Sequence, residues 1–153
     1  MSSNKSLRIL IVEDEILIAL ELESLLQDAG HAVVAIAASS REAVEGAGRL
    51  QPDLAFVDIH LADGPTGVDV ARRLNALGIT VLFMTANAKR IPEDCAGALG
   101  VISKPYTERG VRQALDYAMM GSDRARVCEG KDGMTFIPFE TPASGERATP
   151  AWP

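Results

Sequence analysis

Residues 54–64 read LAFVDIHLADG. An apolar run of four residues ends abruptly in Asp58, and a second acid, Asp63, follows beside a glycine. The apolar run has the length of a buried strand, so the first acid stands where such a strand ends. Taken alone, both acids are explained as turn residues, because aspartate side chains readily hydrogen-bond the backbone of a turn. The residues that the rest of the chain brings to this strand end therefore decide between a turn and a chemical site.

Short apolar runs alternate with longer amphipathic stretches on both sides of this strand. The alternation predicts a parallel sheet covered by helices on both faces. Right-handed crossovers then favour an α/β fold with a doubly wound five-stranded parallel sheet in the flavodoxin-like order 2-1-3-4-5. The predicted strands are 7–12, 32–36, 53–57, 79–84 and 101–103, and the predicted helices are 15–29, 39 or 40 to 50, 68–77, a weak one starting near Pro92, and 107–120.

The composition changes after the last predicted helix. Residues 121–153 hold four of the eight prolines and no long periodic run. We therefore predict an N-terminal tail over 1–6, one domain over 7–120 and a C-terminal extension over 121–153. Within the extension, residues 126–129 and 134–139 can form a short hairpin. The alternative is a mostly mobile tail, because an isolated two-stranded hairpin is only marginally stable in water.

Length and charge narrow the classes of function. The chain has 153 residues, 47% of them hydrophobic and 24% charged, which is typical of one globular domain. Its net charge of −6 disfavours a nucleic-acid binder, which normally presents a basic face. The first apolar run is too short for a signal peptide or a membrane span, and Cys95 and Cys128 have no metal-ligand spacing. We expect a cytoplasmic protein that binds neither nucleic acid nor a membrane.

Charged and polar side chains follow the ends of four predicted strands. Glu13 and Asp14 follow the first strand, Asp58 the third, Thr85 the fourth and Lys104 the fifth. Some have an ordinary explanation on their own, since Asp14 is a favoured helix cap and Lys104 is typical of a solvated surface. In a doubly wound sheet, however, these strand ends share one edge, where ligand sites lie. We therefore expect the side chains to meet in one cleft.

The residue types in this cleft fit phosphoryl transfer. Clustered carboxylates repel one another unless a cation neutralises them, and Mg²⁺ prefers carboxylates together with water and phosphate oxygens. Lys104 supplies a positive charge and Thr85 a hydroxyl donor for phosphoryl oxygens. Asp58 can act as a carboxylate nucleophile and form an aspartyl phosphate. No glycine-rich loop follows the first strand, which disfavours a nucleotide site.

Four segments, in this order and at these spacings, are similar to the receiver domain of bacterial two-component response regulators. They are ILIVEDE at 9–15, FVDIHLADGPTG at 56–67, FMTAN at 83–87 and ISKPY at 102–106. The resemblance covers roughly residues 7–120. The segment VEDEILIALELESLL also resembles the short alphaproteobacterial regulators that are paired with histidine kinases of the HWE or HisKA2 type.

The resemblance implies how the phosphoryl group is received. Asp58 would be the phosphoacceptor, taking the group from a phosphohistidine of a sensor histidine kinase. Thr85 and Lys104 would contact the phosphoryl oxygens. The peptide between Lys104 and Pro105 would be cis, as is usual in this family.

The resemblance also implies a set of metal ligands. Mg²⁺ would be the cofactor, bound directly by Asp14 and Asp58. The backbone carbonyl of His60 would complete the protein ligands, and Glu13 would act through a water molecule. The phosphorylated form would then change its binding to other proteins.

One position departs from the family, and it bears on how a signal leaves the domain. Members of the family usually carry Tyr or Phe three positions before the lysine, whereas this chain has Val101. Tyr106 follows the lysine and does not take that place. We expect a stand-alone receiver that binds a downstream protein. The binding surface would be the face of helix 4, strand 5 and helix 5, which is the usual surface in this family; here these are the predicted helix near Pro92, the strand 101–103 and the helix 107–120. The sequence leaves a homodimer open.

Two other functions compete with the phosphoacceptor. One is a phosphohydrolase that uses an aspartyl-phosphate intermediate, which generally needs a second acid two residues after the nucleophile. That position is His60, which can do acid–base work near neutral pH. The other is a pseudo-receiver, a binding module without phosphorylation. The acids, the threonine and the lysine together favour a phosphoacceptor protein that is not an enzyme, with at most self-phosphorylation and autodephosphorylation.

Overall fold

The computed structural model describes residues 6–86, 91–92, 94–119 and 136–139. This part of the chain contains β1 (Arg8–Val12), α1 (Ile16–Asp28), β2 (Ala32–Ala37), α2 (Ser40–Leu50), β3 (Leu54–Asp58), α3 (Gly67–Ala76), β4 (Thr80–Thr85), β5 (Gly100–Ser103), α4 (Glu108–Met119) and β6 (Phe136–Pro138). Among the described residues, no helix is long and apolar enough to cross a membrane.

The strands form one sheet in the order β2-β1-β3-β4-β5-β6. The first five strands run parallel, which confirms the predicted order 2-1-3-4-5. The sixth strand is a difference from the predicted five-stranded sheet, because β6 adds to β5 in the antiparallel direction. A strand of three residues carries too little sequence pattern to be assigned before its partner is known.

The sheet is buried on both faces, and successive residues of a strand alternate between two core clusters. Val57 belongs to the cluster that contains side chains of α2 and α3, whereas Phe56 belongs to the cluster of α1 and α4. Both side chains are fully buried. Burial on both faces explains why the strands read as continuous apolar runs rather than as alternating ones.

The first two helices begin differently. Ser39 caps α2, since its Oγ accepts a hydrogen bond of 3.2 Å from the backbone N–H of Glu42. The Glu42 carboxylate accepts in turn from the backbone N–H of Ala38 at 2.8 Å, so this helix start is fixed from both sides. The residue before α1 is Glu15, which makes no capping hydrogen bond. The capping role considered for Asp14 is therefore wrong, and its side chain is left for other contacts.

The predicted fourth helix is wrong for the described residues between β4 and β5. Only a short 3₁₀ turn, Cys95–Gly97, is helical there. All three residues have positive φ, from 51° to 82°, and such left-handed residues cannot continue a right-handed helix. Arg72 of α3 forms a bidentate ion pair with Asp94, at 2.6 and 3.1 Å, which holds this turn against the helix.

The C-terminal extension contributes a strand to the sheet. Residues 136–138 of the segment predicted as half of a hairpin pair with β5. The other predicted half, residues 126–129, lies outside the described residues. The division of the chain into 1–6, 7–120 and 121–153 stays a prediction.

Candidate functional site

The candidate site lies where four parallel strands end. Asp58 and Thr85 are the last residues of β3 and β4. Glu13 follows β1 directly, and Lys104 follows β5. Because the strands are neighbours in the order β1-β3-β4-β5, the fold places these residues along one edge of the sheet, as the sequence predicts.

Three acids form a cluster at this edge, and it is called the acid cluster below. Carboxylate oxygens of Glu13, Asp14 and Asp58 all lie within 4.8 Å of one another. Glu13 and Asp58 are 2% and 8% exposed, whereas Asp14 is exposed. The interpretation of Asp58 as a simple turn residue does not fit a buried carboxylate beside two others.

Lys104 joins the acid cluster by two ion pairs. Its Nζ donates hydrogen bonds to Glu13 Oε1 at 2.8 Å and to Asp58 Oδ2 at 2.9 Å. Burial alone would lower the pKa of the Lys104 ammonium, but its hydrogen bonds to Glu13 and Asp58 outweigh burial and raise it. The side chain is only 15% exposed, so the alternative of a solvated surface lysine is wrong.

Glu13 is the most enclosed acid of the cluster. Its carboxylate accepts a hydrogen bond of 3.2 Å from the backbone N–H of Glu15 and the ion pair from Lys104. Burial raises the pKa of Glu13 to about 6, and the negative charge of Asp58 acts in the same direction. The hydrogen bond from Lys104 partly opposes these effects.

The two remaining predicted residues lie at the same edge. Thr85 is 6% exposed, and its backbone carbonyl accepts a hydrogen bond of 3.0 Å from the backbone N–H of Lys104. That bond fixes the start of the Lys104 segment against the end of β4. His60 lies two residues beyond β3 with an exposed side chain. The catalytic and metal-binding roles of these residues stay predictions.

The acid cluster has the donor chemistry of a magnesium site. It offers only oxygen ligands, which Mg²⁺ prefers. With all groups ionised, three carboxylates against the single Lys104 ammonium leave two negative charges uncompensated, which equals the charge of one Mg²⁺. The exposed Asp14 leaves the cluster open to solvent, from which a hydrated ion would arrive. The residues present therefore fit the predicted cofactor.

Comparison with known families decides the class of protein. The model of the response regulator receiver domain matches residues 9–116. The chain belongs to this receiver domain family. The match confirms the predicted resemblance and includes Asp14, Asp58 and Lys104.

Individual relatives agree with this assignment. The chain is 34% identical over 133 residues to the phyllosphere-induced regulator PhyR of Methylorubrum extorquens. The aligned region covers 82% of this chain and 48% of PhyR. It is 30% identical over 145 residues to the transcriptional regulatory protein PdtaR of Mycobacterium tuberculosis, and the aligned region covers 92% of this chain and 70% of PdtaR. The chain thus spans about half the length of PhyR.

A solved structure agrees in fold as well. The solution structure of the Erythrobacter litoralis PhyR receiver domain matches with a TM-score of 0.69 and 33% identity, covering 76% of this chain and 92% of that one. Similarity to PhyR is consistent with the predicted resemblance to alphaproteobacterial regulators.

Gly67 is a site residue of the receiver domain that the sequence reasoning missed. It is the first residue of α3 and packs directly against the backbone of β3. A Cβ placed on Gly67 would collide with the carbonyl oxygen of Asp58 and lie 2.6 Å from the Cα of Ile59. Its backbone N–H also donates to the Ile59 carbonyl at 2.9 Å. Glycine is needed here for this close approach, and the only signal for it was its place in the segment DGPTG.

Asp63 is more than a turn residue in this receiver domain. Its carboxylate accepts hydrogen bonds from Ser40 Oγ at 2.6 Å and from Thr66 Oγ1 at 2.7 Å. The contact with Thr66 is local, as a turn requires, but Ser40 is the first residue of α2. Asp63 therefore fastens the loop after the phosphoacceptor strand to the start of a different helix.

Two residues beside Lys104, Val101 and Tyr106, are both held by contacts with other elements of the receiver domain. Val101 is 2% exposed and pairs with Phe83 on one side and Ile137 of β6 on the other. Tyr106 donates a hydrogen bond of 2.8 Å from its hydroxyl to the backbone carbonyl of Ile18 in α1. Burial raises the pKa of the Tyr106 hydroxyl above its ordinary value, so it stays a donor. Tyr106 thereby ties the segment after Lys104 to α1.

Proposed function

We propose that Asp58 accepts a phosphoryl group from a phosphohistidine of a sensor histidine kinase in a Mg²⁺-dependent reaction. The phosphorylated domain then changes its binding to a downstream protein. The observation that carries this proposal is the pairing of Lys104 Nζ with Asp58 at 2.9 Å inside a cluster of three acids. Membership of the receiver family supports a role in signalling rather than in metabolic turnover.

The transfer needs one nucleophile and one leaving group. A carboxylate oxygen of Asp58 attacks the phosphorus, and a new P–O bond forms as the P–N bond to the histidine breaks. The imidazole nitrogen leaves with the electron pair of that bond and takes a proton from solvent. Mg²⁺, when bound, would offset the negative charge on the transferred oxygens.

The chain's own residues position the reactants around Asp58. Lys104 and Thr85 stabilise the phosphoryl oxygens by an ion pair and a hydrogen bond. Asp14, Asp58 and the backbone carbonyl of His60 would bind Mg²⁺ directly. Glu13 would act through a water molecule and keep Lys104 close by the bond of 2.8 Å.

The donor is proposed to be a protein because α1 presents apolar side chains beside the acid cluster. Ile16, Leu17 and Leu20 are 57%, 77% and 46% exposed. Exposed apolar side chains grouped on one helix are typical of protein–protein contacts. The proposed partner is a cytoplasmic kinase of the HWE or HisKA2 type, in line with the similarity to alphaproteobacterial regulators.

Intact mass spectrometry tests the phosphoacceptor. With Mg²⁺ and acetyl phosphate, or with a phosphorylated histidine kinase, the wild-type chain should gain the mass of one phosphoryl group. Asp58→Asn should gain none, because the amide is not a nucleophile. The matched control is Asp69→Asn, which removes an exposed acid of α3 and should leave the adduct unchanged.

Two outcomes would contradict the proposal. One is an unmodified wild-type chain with both donors, and the other is the same adduct on Asp58→Asn. No adduct should form when a Mg²⁺ chelator is present from the start of the same assay.

A further inference from the structure

The outer edge of β5, meaning the side of the strand away from β4, is covered by residues 136–139. Three residue pairs connect the two strands: Ile102 with Phe136, Val101 with Ile137, and Gly100 with Pro138. The backbone N–H of Phe139 adds a hydrogen bond of 3.0 Å to the carbonyl of Leu99. The pairing is antiparallel, whereas every other pair of neighbouring strands is parallel in the described sheet.

Phe136 is the first of two aromatic anchors on this edge. It is 2% exposed, and its ring lies 5.5 Å from that of Tyr117 in α4, measured between centroids. A Cβ on Gly100 would lie 2.6 Å from Cε1 of Phe136 and 2.8 Å from the carbonyl oxygen of Ile137. The missing side chain of Gly100 therefore makes the recess that the Phe136 ring fills.

Phe139 is the second anchor, and it lies on the opposite face of the sheet. Phe136 belongs to the core cluster of α1 and α4, whereas Phe139 packs half-buried against the cluster of α2 and α3. Ile137, between them, is 49% exposed. The segment thus contacts the sheet edge through two aromatic side chains three positions apart, one packed on each face of the sheet.

These contacts resemble those of a peptide bound to a sheet edge more than those of a strand inside a sheet. The segment has only three ladder pairs, and its four described side chains are all apolar, so packing is the one contact that those side chains can make with the domain. Strand addition to a sheet edge, with pockets for particular side chains, is a general mode of peptide recognition. An edge strand without such a cover exposes unpaired N–H and C=O groups that favour another strand.

We propose that residues 136–139 are a detachable strand that masks a protein-binding site on the outer edge of β5. The partner that fits this site is an extended protein segment that adds as an antiparallel strand and carries large apolar or aromatic side chains three positions apart. The recess at Gly100 and Tyr117 takes the first of these side chains, and the opposite face of the sheet takes the second.

The inference rests on the proposed function in one respect only, which is that the extended segment binding to β5 belongs to the proposed downstream partner. The chain's own strand and the partner compete for β5, whose last residue precedes Lys104. The tethered strand acts at an effective concentration on the order of millimolar, so a partner must displace it or bind when it is detached.

The test is binding of a peptide in trans. The peptide DGMTFIPFET, residues 132–141 of this chain, is added at millimolar concentration to the full-length Phe136→Ala variant. Loss of the first anchor should free the edge, so the backbone amide NMR signals of Gly100 and Ile102 should shift on titration. The wild-type chain should bind at least tenfold more weakly, because its own strand occupies the edge.

Matched variants separate this site from non-specific binding. Ile137→Ala changes the exposed side chain of β6 and should behave like wild type. Gly100→Ala combined with Phe136→Ala should abolish peptide binding, because the added methyl fills the recess. A peptide with alanine in place of both phenylalanines should not bind to any variant.

The outcomes decide the inference without any measurement of phosphorylation. Circular dichroism establishes that each variant is folded, and Phe139→Ala replaces Phe136→Ala if that variant is not. A folded variant with a lost anchor that shows no peptide-dependent shifts in β5 would overturn the inference. Dimerisation of the variant through β5 without peptide binding would also overturn it, since the edge would then serve a second copy of this chain.

Discussion

Lys104 makes contact with two acids at once, so its ammonium offsets part of the negative charge that Glu13 and Asp58 bring to one buried site. A carboxylate in a poorly hydrated place is normally destabilised, and a nearby ammonium offsets that cost. The same ammonium must later serve the phosphoryl oxygens of the proposed reaction. Lys104 therefore has to exchange its bond to Asp58 for a bond to the phosphoryl group while Glu13 keeps it close.

Gly67 gives a prediction at the scale of one residue. Gly67→Ala should lower the free energy of unfolding by roughly 1–3 kcal/mol, because its methyl group collides with the backbone of Asp58 and Ile59. The same variant should slow phosphorylation of Asp58, since the strand end must shift. Urea unfolding and the rate of adduct formation measure the two effects.

Gly48→Ala is the matched control for this substitution. Gly48 lies within α2, and a Cβ there would meet nothing within 4 Å. The alanine should therefore stabilise the helix by about 0.5–1 kcal/mol. Equal effects of the two variants would show that the close approach at Gly67 is unimportant.

At this scale the sequence predicted which side chains meet, but not the contacts that hold them. Glu13, Asp14, Asp58 and Lys104 could be placed together because strand order alone carries them to one edge. The bond from Tyr106 to the Ile18 carbonyl could not be predicted, since it depends on the distance between a loop and a helix far apart in the chain. Side-chain partners of this kind are fixed by packing and leave no periodic signal.

At the scale of elements, Asp63 connects the loop after β3 with the start of α2. Its hydrogen bonds with Ser40 and then Thr66 lower the pKa of Asp63 from 3.8 to about 2. A group whose pKa is depressed in the folded state stabilises the fold above its unfolded pKa and loses that contribution as the pH falls through the folded pKa. The contribution of Asp63 should therefore be complete above about pH 4 and disappear towards pH 2.

Comparison with Asp63→Asn measures this contribution. The difference in unfolding free energy between wild type and variant should be constant from pH 7 to about pH 5 and should shrink between about pH 4 and pH 2. Ser40→Ala removes the largest cause of the pKa shift and should weaken the pH dependence. A difference that does not change with pH would mean that Asp63 acts only as a turn residue.

The elements were predicted well where their signals are local and poorly where they are not. The helix predicted from Ser39 or Ser40 to Leu50 rests on a serine cap, and the observed helix, Ser40–Leu50, agrees. The stretch before β5 was predicted as a helix from Pro92, but the left-handed residues Cys95–Gly97 exclude a regular α-helix there. Nothing in the local sequence of residues 136–138 shows that their partner is β5, which lies more than thirty positions earlier.

At the scale of the whole molecule, the proposed Mg²⁺ site would couple metal binding to the stability of the fold. A ligand that binds only the folded state at ten times its dissociation constant stabilises it by about 1.4 kcal/mol. Mg²⁺ at that concentration should therefore raise the melting temperature by roughly 3–5 °C. Differential scanning calorimetry in buffer with Mg²⁺, and again after a chelator is added, measures the shift.

Asp14→Asn is the control for the metal effect, because Asp14 is exposed and its substitution leaves the buried pairs of Lys104 in place. The variant should lose most of the response to Mg²⁺ while its melting temperature without the metal changes little. An equal rise in wild type and variant would show that the ion acts elsewhere on the chain.

The cover of the β5 edge has a further consequence for how the chain survives in a cell. A cut by a protease between the end of α4 and Phe136 would leave the domain with an open strand edge and an empty recess at Gly100. Open edges are the templates from which intermolecular sheets and aggregates grow. Loss of the last residues would therefore expose the shortened chain to self-association and to quality-control machinery, although every residue of the acid cluster would still be present.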